Sequence, residues 1–337
     1  MATDARSVLD DPAAVAAGAA LLEGRGGAAV VVREVVSVDG PDAGTYLQGQ
    51  LSQDLTGLAP GSSTWSLLLQ PTGKVEAWLR VHRVGDEAYL LDVDEGWGAA
   101  VTARLRRFLL RTRATVAEPE VRSALALRHA ADFVALGAGG GVVDDPTWVA
   151  GPVVGQGVAG IDRIAPAGVD ATDAARADRV ELVPAASLER HRIAHLVPAM
   201  GAELGPDTIP GEAGQWLIDA SVSFTKGCYT GQELVARIDS RGNTVPRPIR
   251  LLELEADQAG FAPGDEVHHG GATVGRVTSV APELGPHLPA LALAVVGRAV
   301  GAGAHVEVAT AEGLVLRAVV ADAATSADGG PAPAPPG

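Results

Sequence analysis

The segment Lys226-Gly227-Cys228-Tyr229-Thr230-Gly231-Gln232-Glu233 is where this chain is best equipped for chemistry. Cys228 is the only cysteine in 337 residues, which rules out an intramolecular disulfide and leaves one thiol available. A thiolate is the form that attacks electrophiles or binds metals. Thr230 followed by Glu233 has the spacing of a capping box, and Leu234, Val235 and Ile238 supply an apolar helical face behind it. This predicts a helix with Thr230 as its N-cap and Cys228 two residues ahead. There the positive helix end and Lys226 both favour the thiolate, so alkylation is expected to titrate below the roughly 8.5 of a free cysteine. The plainer reading is a small buried hydrophobe that happens to be cysteine. The same helix start, with Arg237 nearby, can also receive a carboxylate or phosphate.

Of the 26 basic residues only Lys74 and Lys226 are lysines, each beside a glycine (Gly73-Lys74, Lys226-Gly227). Lysine offers a compact point charge on a flexible stem where arginine offers a planar fork. Two positions that escape an otherwise uniform use of arginine are candidates for a site role.

The other motifs carry less. Gly155-Gln156-Gly157-Val158-Ala159-Gly160 spells G-x-G-x-x-G, but a strand-like stretch stopped by Pro166 follows instead of a helix, so it reads as a glycine-rich hairpin. Gly73-Lys74 lacks the upstream glycine and the following Ser/Thr of a phosphate-binding loop. His191 and His195 stand at i, i+4 on a predicted helix with no Cys or carboxylate at a zinc spacing, and read as structural; no metal site is assigned. No nucleophile elbow is present.

A formal net charge of −15 excludes a general binder of nucleic acid or anionic membrane. The strongest basic cluster, Arg104, Arg106, Arg107, Arg111 and Arg113, reads as a solvated face. No apolar run approaches the ~20 residues of a membrane span. The N-terminus has no signal-peptide pattern, and a lone thiol suits a reducing cytoplasm.

The elements that must position these residues predict an α+β chain of several units. Residues 1–27 read as a helix and turn. Residues 28–130 run strand, helix, strands, helix, strand, with a turn at Pro71-Thr72-Gly73. Residues 131–243 form a second unit that carries the cysteine motif, with a strand near Phe133–Leu136 and helices near Ala171–Ala177 and Pro184–Leu196. Short strands between glycine and proline turns over 244–323 predict an antiparallel barrel, and 324–337 a disordered tail.

The chain resembles the YgfZ/GcvT-like folate-binding family. Lys226–Glu233 match the K-G-C-Y-x-G-Q-E signature of the YgfZ proteins, relatives of the glycine-cleavage T protein, an aminomethyltransferase. Val38-Asp39-Gly40-Pro41-Asp42-Ala43 with Leu47-Gln48-Gly49-Gln50 and Asp54 is similar to the N-terminal signature, and Thr72-Gly73-Lys74 to the second-strand turn. The likeness runs, with gaps, from about Val30 to Val320.

That resemblance implies two ferredoxin-like halves around a folate-binding opening, plus a C-terminal antiparallel β-barrel. It implies tetrahydrofolate as ligand, and as partners iron–sulfur client enzymes or cluster assembly proteins. The implied role is cytoplasmic: assembly or repair of iron–sulfur clusters, supporting iron–sulfur-dependent tRNA modification. Cys228 would be the functional cysteine and Lys226 its companion; Lys74, Trp65, Tyr229, Gln232, Glu233 and Arg237 are the candidates for lining the folate. The alternative is a folate-dependent one-carbon transferase of aminomethyl type, and whether the chain is itself an enzyme stays open. Against transfer, Lys74-Val75-Glu76-Ala77-Trp78-Leu79-Arg80 has one acid where the aminomethyltransferases carry an acidic cluster. A scaffold with no chemistry is the third reading.

Overall fold

A valine-rich run makes Gly27–Asp39 the central strand, β1, of the computed structural model. The structure describes residues 18, 21, 26–128, 147–177, 180, 182–240, 242, 244–255, 260–282 and 288–322. The expected strand at 133–136, the tail at 324–337 and nearly all of the N-terminal helix lie outside these residues.

After the Gly40-Pro41 turn comes helix α1 (Ala43–Gln50), which buries Tyr46 and Leu47. Strands β2 (Ser63–Leu69), β3 (Val75–Arg83) and β4 (Ala88–Asp94) follow, then α2 (Gly98–Arg107), β5 (Thr115–Val116) and β6 (Glu120–Arg128). Strands β7 (Val149–Pro152) and β8 (Gly160–Ile164) form an antiparallel hairpin, so the G-x-G-x-x-G stretch is the hairpin loop anticipated. All eight strands belong to one sheet of order β2-β3-β4-β1-β6-β8-β7, with β5 on β1.

That sheet curls until its two edges meet. Ser63 Oγ on β2 donates to the Ala150 carbonyl on β7 (3.1 Å), and Trp65 Nε1 donates to the Pro152 carbonyl (2.8 Å). Inside the curl lie charges. Arg80 on β3 is fully buried and pairs with Asp92 on β4 (2.5 Å) and Asp162 on β8 (2.8 Å). Arg33 on β1 pairs with Asp92 (2.5 Å) and with Asp94, and Arg128 on β6 with Asp162 (2.7 Å). Three arginines thus face three aspartates, and the links run from β3 and β4 across to β6 and β8. Buried ions persist only when paired this way.

Helices α3 (Ala171–Ala177) and α4 (Ala185–Ala194), a 3₁₀ turn (Pro210–Ala213), α5 (Gln215–Ser221) and α6 (Gln232–Asp239) complete this part. Helix α5, which the sequence reading did not foresee, packs on β2 and buries Leu217 and Ile218. The C-terminal barrel is present as expected, closed in the order β10-β11-β12-β9-β14-β13. Its strands are β9 (Ile249–Leu254), β10 (Glu266–His269), β11 (Ala272–Val280), β12 (Leu291–Val296), β13 (His305–Ala309) and β14 (Val315–Ala321).

Glu203 fastens the barrel to the rest. Its buried carboxylate accepts from Thr278 Oγ1 (2.7 Å) and Ser279 Oγ (2.6 Å) on β11, and from the Ala199 N–H (3.0 Å) and Arg192 Nη1 (3.1 Å) on its own side. His191 and His195 on and just after α4 are buried and stacked at 4.2 Å, the structural role anticipated for them.

Candidate functional site

Ser223 to Gly231 forms a loop between α5 and α6, and Cys228 is exposed at its outer side. The loop is stapled to the end of α1 at several points. The Ser223 N–H donates to the Ser52 carbonyl (3.0 Å) and the Thr230 N–H to the Gly49 carbonyl (3.3 Å). Between them the Lys226 ammonium donates to three carbonyls, those of Gln48 (2.7 Å), Leu51 (2.8 Å) and Gln53 (2.8 Å). Lys226 also lies 5.3 Å from the centre of the buried Tyr229 ring. Burial pulls the ammonium down to about 8, with the Asp54 carboxylate acting the other way. Burial likewise pushes the Tyr229 hydroxyl up to about 12.

The capping box does not form. Helix α6 starts at Gln232 with Gly231 as N-cap in the left-handed region (φ +83°) and no side-chain cap. The Gln232 Oε1 instead accepts from the Tyr229 N–H (3.1 Å). A backbone wall decides this: a Cβ on Gly231 would lie 2.5 Å from the Gln70 carbonyl oxygen and 2.8 Å from Leu69 Cβ. Gly73 (φ +80°) closes the same contact from the other side, where a Cβ would meet Leu234 Cβ at 2.4 Å. The second-strand turn and the cysteine motif therefore do meet, through paired glycines. Replacing Gly231 by alanine is expected to cost at least ~2 kcal/mol from clash and positive φ together. Gly227→Ala, with open space around it, should stay within about 0.5 kcal/mol. Urea unfolding of both proteins checks the contrast, and equal costs would contradict this packing.

Of the residues anticipated as folate-lining, Tyr229 and Gln232 meet within the loop, and the other four have separate settings. Lys74 sits at the surface in an ion pair with Asp207 (2.9 Å). Glu233 and Arg237 are exposed on α6. Trp65 is buried within the curl, its ring stacked on Trp78 at 4.1 Å, Arg80 5.1 Å from its centre and its N–H committed to Pro152. Nor is the basic cluster all solvated: Arg104 is buried with Phe108 stacked on it (4.1 Å) and reaches Gln50 Oε1 (3.3 Å).

Sequence reasoning missed two parts of this region. One is the carbonyl set of Gln48, Leu51 and Gln53, which no residue type could reveal, although the N-terminal signature spans it. The other is Trp216, which extends the tryptophan stack edge-on to Trp78 at 6.0 Å. Its indole N–H is buried with no hydrogen-bond partner among the described residues, and Gly214 lies beside it. Trp78 Nε1, by contrast, donates to Ser221 Oγ (2.9 Å). No helix among the described residues is long and apolar enough to cross a membrane.

No family model matches the chain. It is 29% identical to the tRNA-modifying protein YgfZ of Edwardsiella ictaluri over 228 residues, 61% of this chain and 65% of that protein. It is 28% identical to the mitochondrial iron-sulfur cluster assembly factor IBA57 homolog of Phaeosphaeria nodorum over 240 residues, 68% of this chain and 56% of that one. The chain thus spans somewhat under two thirds of these two relatives. The fold is that of the glycine cleavage system aminomethyltransferase T from Bartonella henselae, with a TM-score of 0.72 at 22% identity, covering 92% of this chain and 88% of that one. The fold, the signature loop and these relatives agree in their likeness to the YgfZ/GcvT-like family.

Proposed function

We propose that this chain is a tetrahydrofolate-binding accessory factor for iron–sulfur cluster assembly or repair, working through Cys228. The observation that carries the reading is an exposed thiol on a loop fixed at both ends and in the middle, in a chain similar to proteins named for that work. On giving up its proton to solvent, Cys228 supplies one thiolate to iron. Among the described residues no group of three or more His, Cys, Asp or Glu is placed to hold a metal. An ordinary cluster takes four protein ligands, so the cluster is a substrate whose other ligands come from a partner, a client enzyme or an assembly protein. A role in tRNA modification then runs through an iron–sulfur enzyme, because a net charge of −15 gives this chain no general affinity for RNA.

For the folate, the fitting feature is the buried indole N–H of Trp216, which has no hydrogen-bond partner among the described residues. A flat heteroaromatic ring with an acceptor at its edge would satisfy that donor and lie against the tryptophans. Trp216 and Trp78 are the residues that would hold it. When bound, tetrahydrofolate supplies a one-carbon carrier. Trp216 orients it and excludes water from one face.

Titration with tetrahydrofolate followed by tryptophan fluorescence tests this. Wild type should quench saturably. Trp216→Phe, which removes one hydrogen bond, should bind on the order of tenfold more weakly. Unchanged affinity would place the ring elsewhere, and no quenching in wild type would remove folate from the account.

A further inference from the structure

Two lysines in a chain of arginines need a reason, and at one of them the geometry provides it. The Gln48, Leu51 and Gln53 carbonyls close on a single point, each 2.7–2.8 Å from Lys226 Nζ. These oxygens lie at the C-terminal end of α1 and just past it, where helix carbonyls lack intrahelical donors and the dipole is negative. An ammonium has three donors on one atom and matches three converging acceptors. A guanidinium spreads its donors over a planar fork and does not.

We infer that Lys226 is a positioning residue: its ammonium is a tethered cation filling a three-carbonyl site at the end of α1, and this lock places the Cys228 loop. The amine has all three donors engaged by these carbonyls, so it has no free N–H to offer Cys228. The nearby groups agree. The Tyr229 ring centre lies 5.3 Å from the cation, and the Asp54 carboxylate, which accepts from Thr56 N and Oγ1, contributes charge from the segment after α1. Among the described residues Lys74 has no such cage; its amine meets the exposed Asp207 carboxylate. The lock's value for function rests on the reading of Cys228 as the working group, but its existence does not.

The two-lysine composition makes a direct test feasible. With ¹⁵Nζ-labelled lysine the full chain has only two ammonium signals. One should exchange its protons with solvent at least tenfold more slowly than the other, and it should be the one that survives in Lys74→Arg. It should persist in Cys228→Ser, whatever that variant does to iron–sulfur enzymes. Two signals of equal exchange rate would overturn the inference. As a second measurement, Lys226→Met and Lys226→Arg should each lower hydrogen-exchange protection of the Thr230 amide at least tenfold. Protection within twofold of wild type in Lys226→Arg would also overturn it, since any cation would then serve.

Discussion

Asp92→Ala is expected to be among the most destabilising single substitutions in this protein. The carboxylate is fully buried and serves two arginines at once, Arg33 and Arg80, with His82 Nε2 at 3.5 Å. Removing it leaves Arg33 with Asp94, and Arg80 with Asp162 and the Gly151 carbonyl, as partners among the described residues. Breaking a buried pair from one side costs about 3–5 kcal/mol. That lowers the thermal midpoint by on the order of 10 °C in a chain of this size. Glu118→Ala, which removes the exposed partner of Arg106, is the control and should cost less than about 1 kcal/mol. Calorimetry or urea unfolding reads both, and equal losses would mean that the network does not link the two ends of the sheet.

The same network sets how stability depends on pH. Burial holds the His82 imidazole below its ordinary 6.5, although Asp92 acts against this, so it stays neutral in the fold. Below about 6.5 the unfolded chain takes up a proton that the folded chain refuses, and stability falls as the pH falls. Burial alone would raise the Asp92 and Asp162 carboxyls, but Arg33 and Arg80 outweigh it at Asp92, and Arg128 and Arg80 at Asp162. Both lie below the ordinary value near 3.8. Their contribution is therefore complete above about 4 and is lost as the pH drops toward their folded values. His82→Gln should flatten the decline between about 6.5 and 4 while leaving the steeper acid limb in place.

Much of this architecture was legible from residue pattern, and the boundary of what was legible has a physical cause. Period-two and valine-rich runs marked β1, β3 and the barrel strands, and glycine with proline marked their turns. The N-terminus of α6 was misread because Thr230 and Glu233 have the right spacing, while the contact that decides the start, Gly231 against Gln70 and Gly73, comes from residues about 160 positions away. The charge network was invisible for the same reason. Arg33, Arg80, Asp92, Arg128 and Asp162 each look like a polar residue on an ordinary strand, and only the curl shows that they face one another. At the site, Cys228 was legible because a lone thiol in a signature stands out. Lys226 was legible as unusual but not as to its task, since its partners are backbone carbonyls. Trp65 carried the aromatic signal, but Trp216 has the donor with no partner among the described residues, and only packing tells the two apart.

Cys228→Ser has the largest functional effect expected here. The serine hydroxyl has nearly the same size at an exposed position, so the loop and its staples should stand unchanged. It is a far weaker ligand for iron and is not ionised at neutral pH, so the chemistry should be lost while the fold remains. The most direct test is iron–sulfur enzyme activity in cells lacking the gene, restored with wild type or with Cys228→Ser at matched protein levels. Only wild type is expected to restore activity. Equal restoration by both proteins would contradict it, because the thiol would then be incidental to a scaffold.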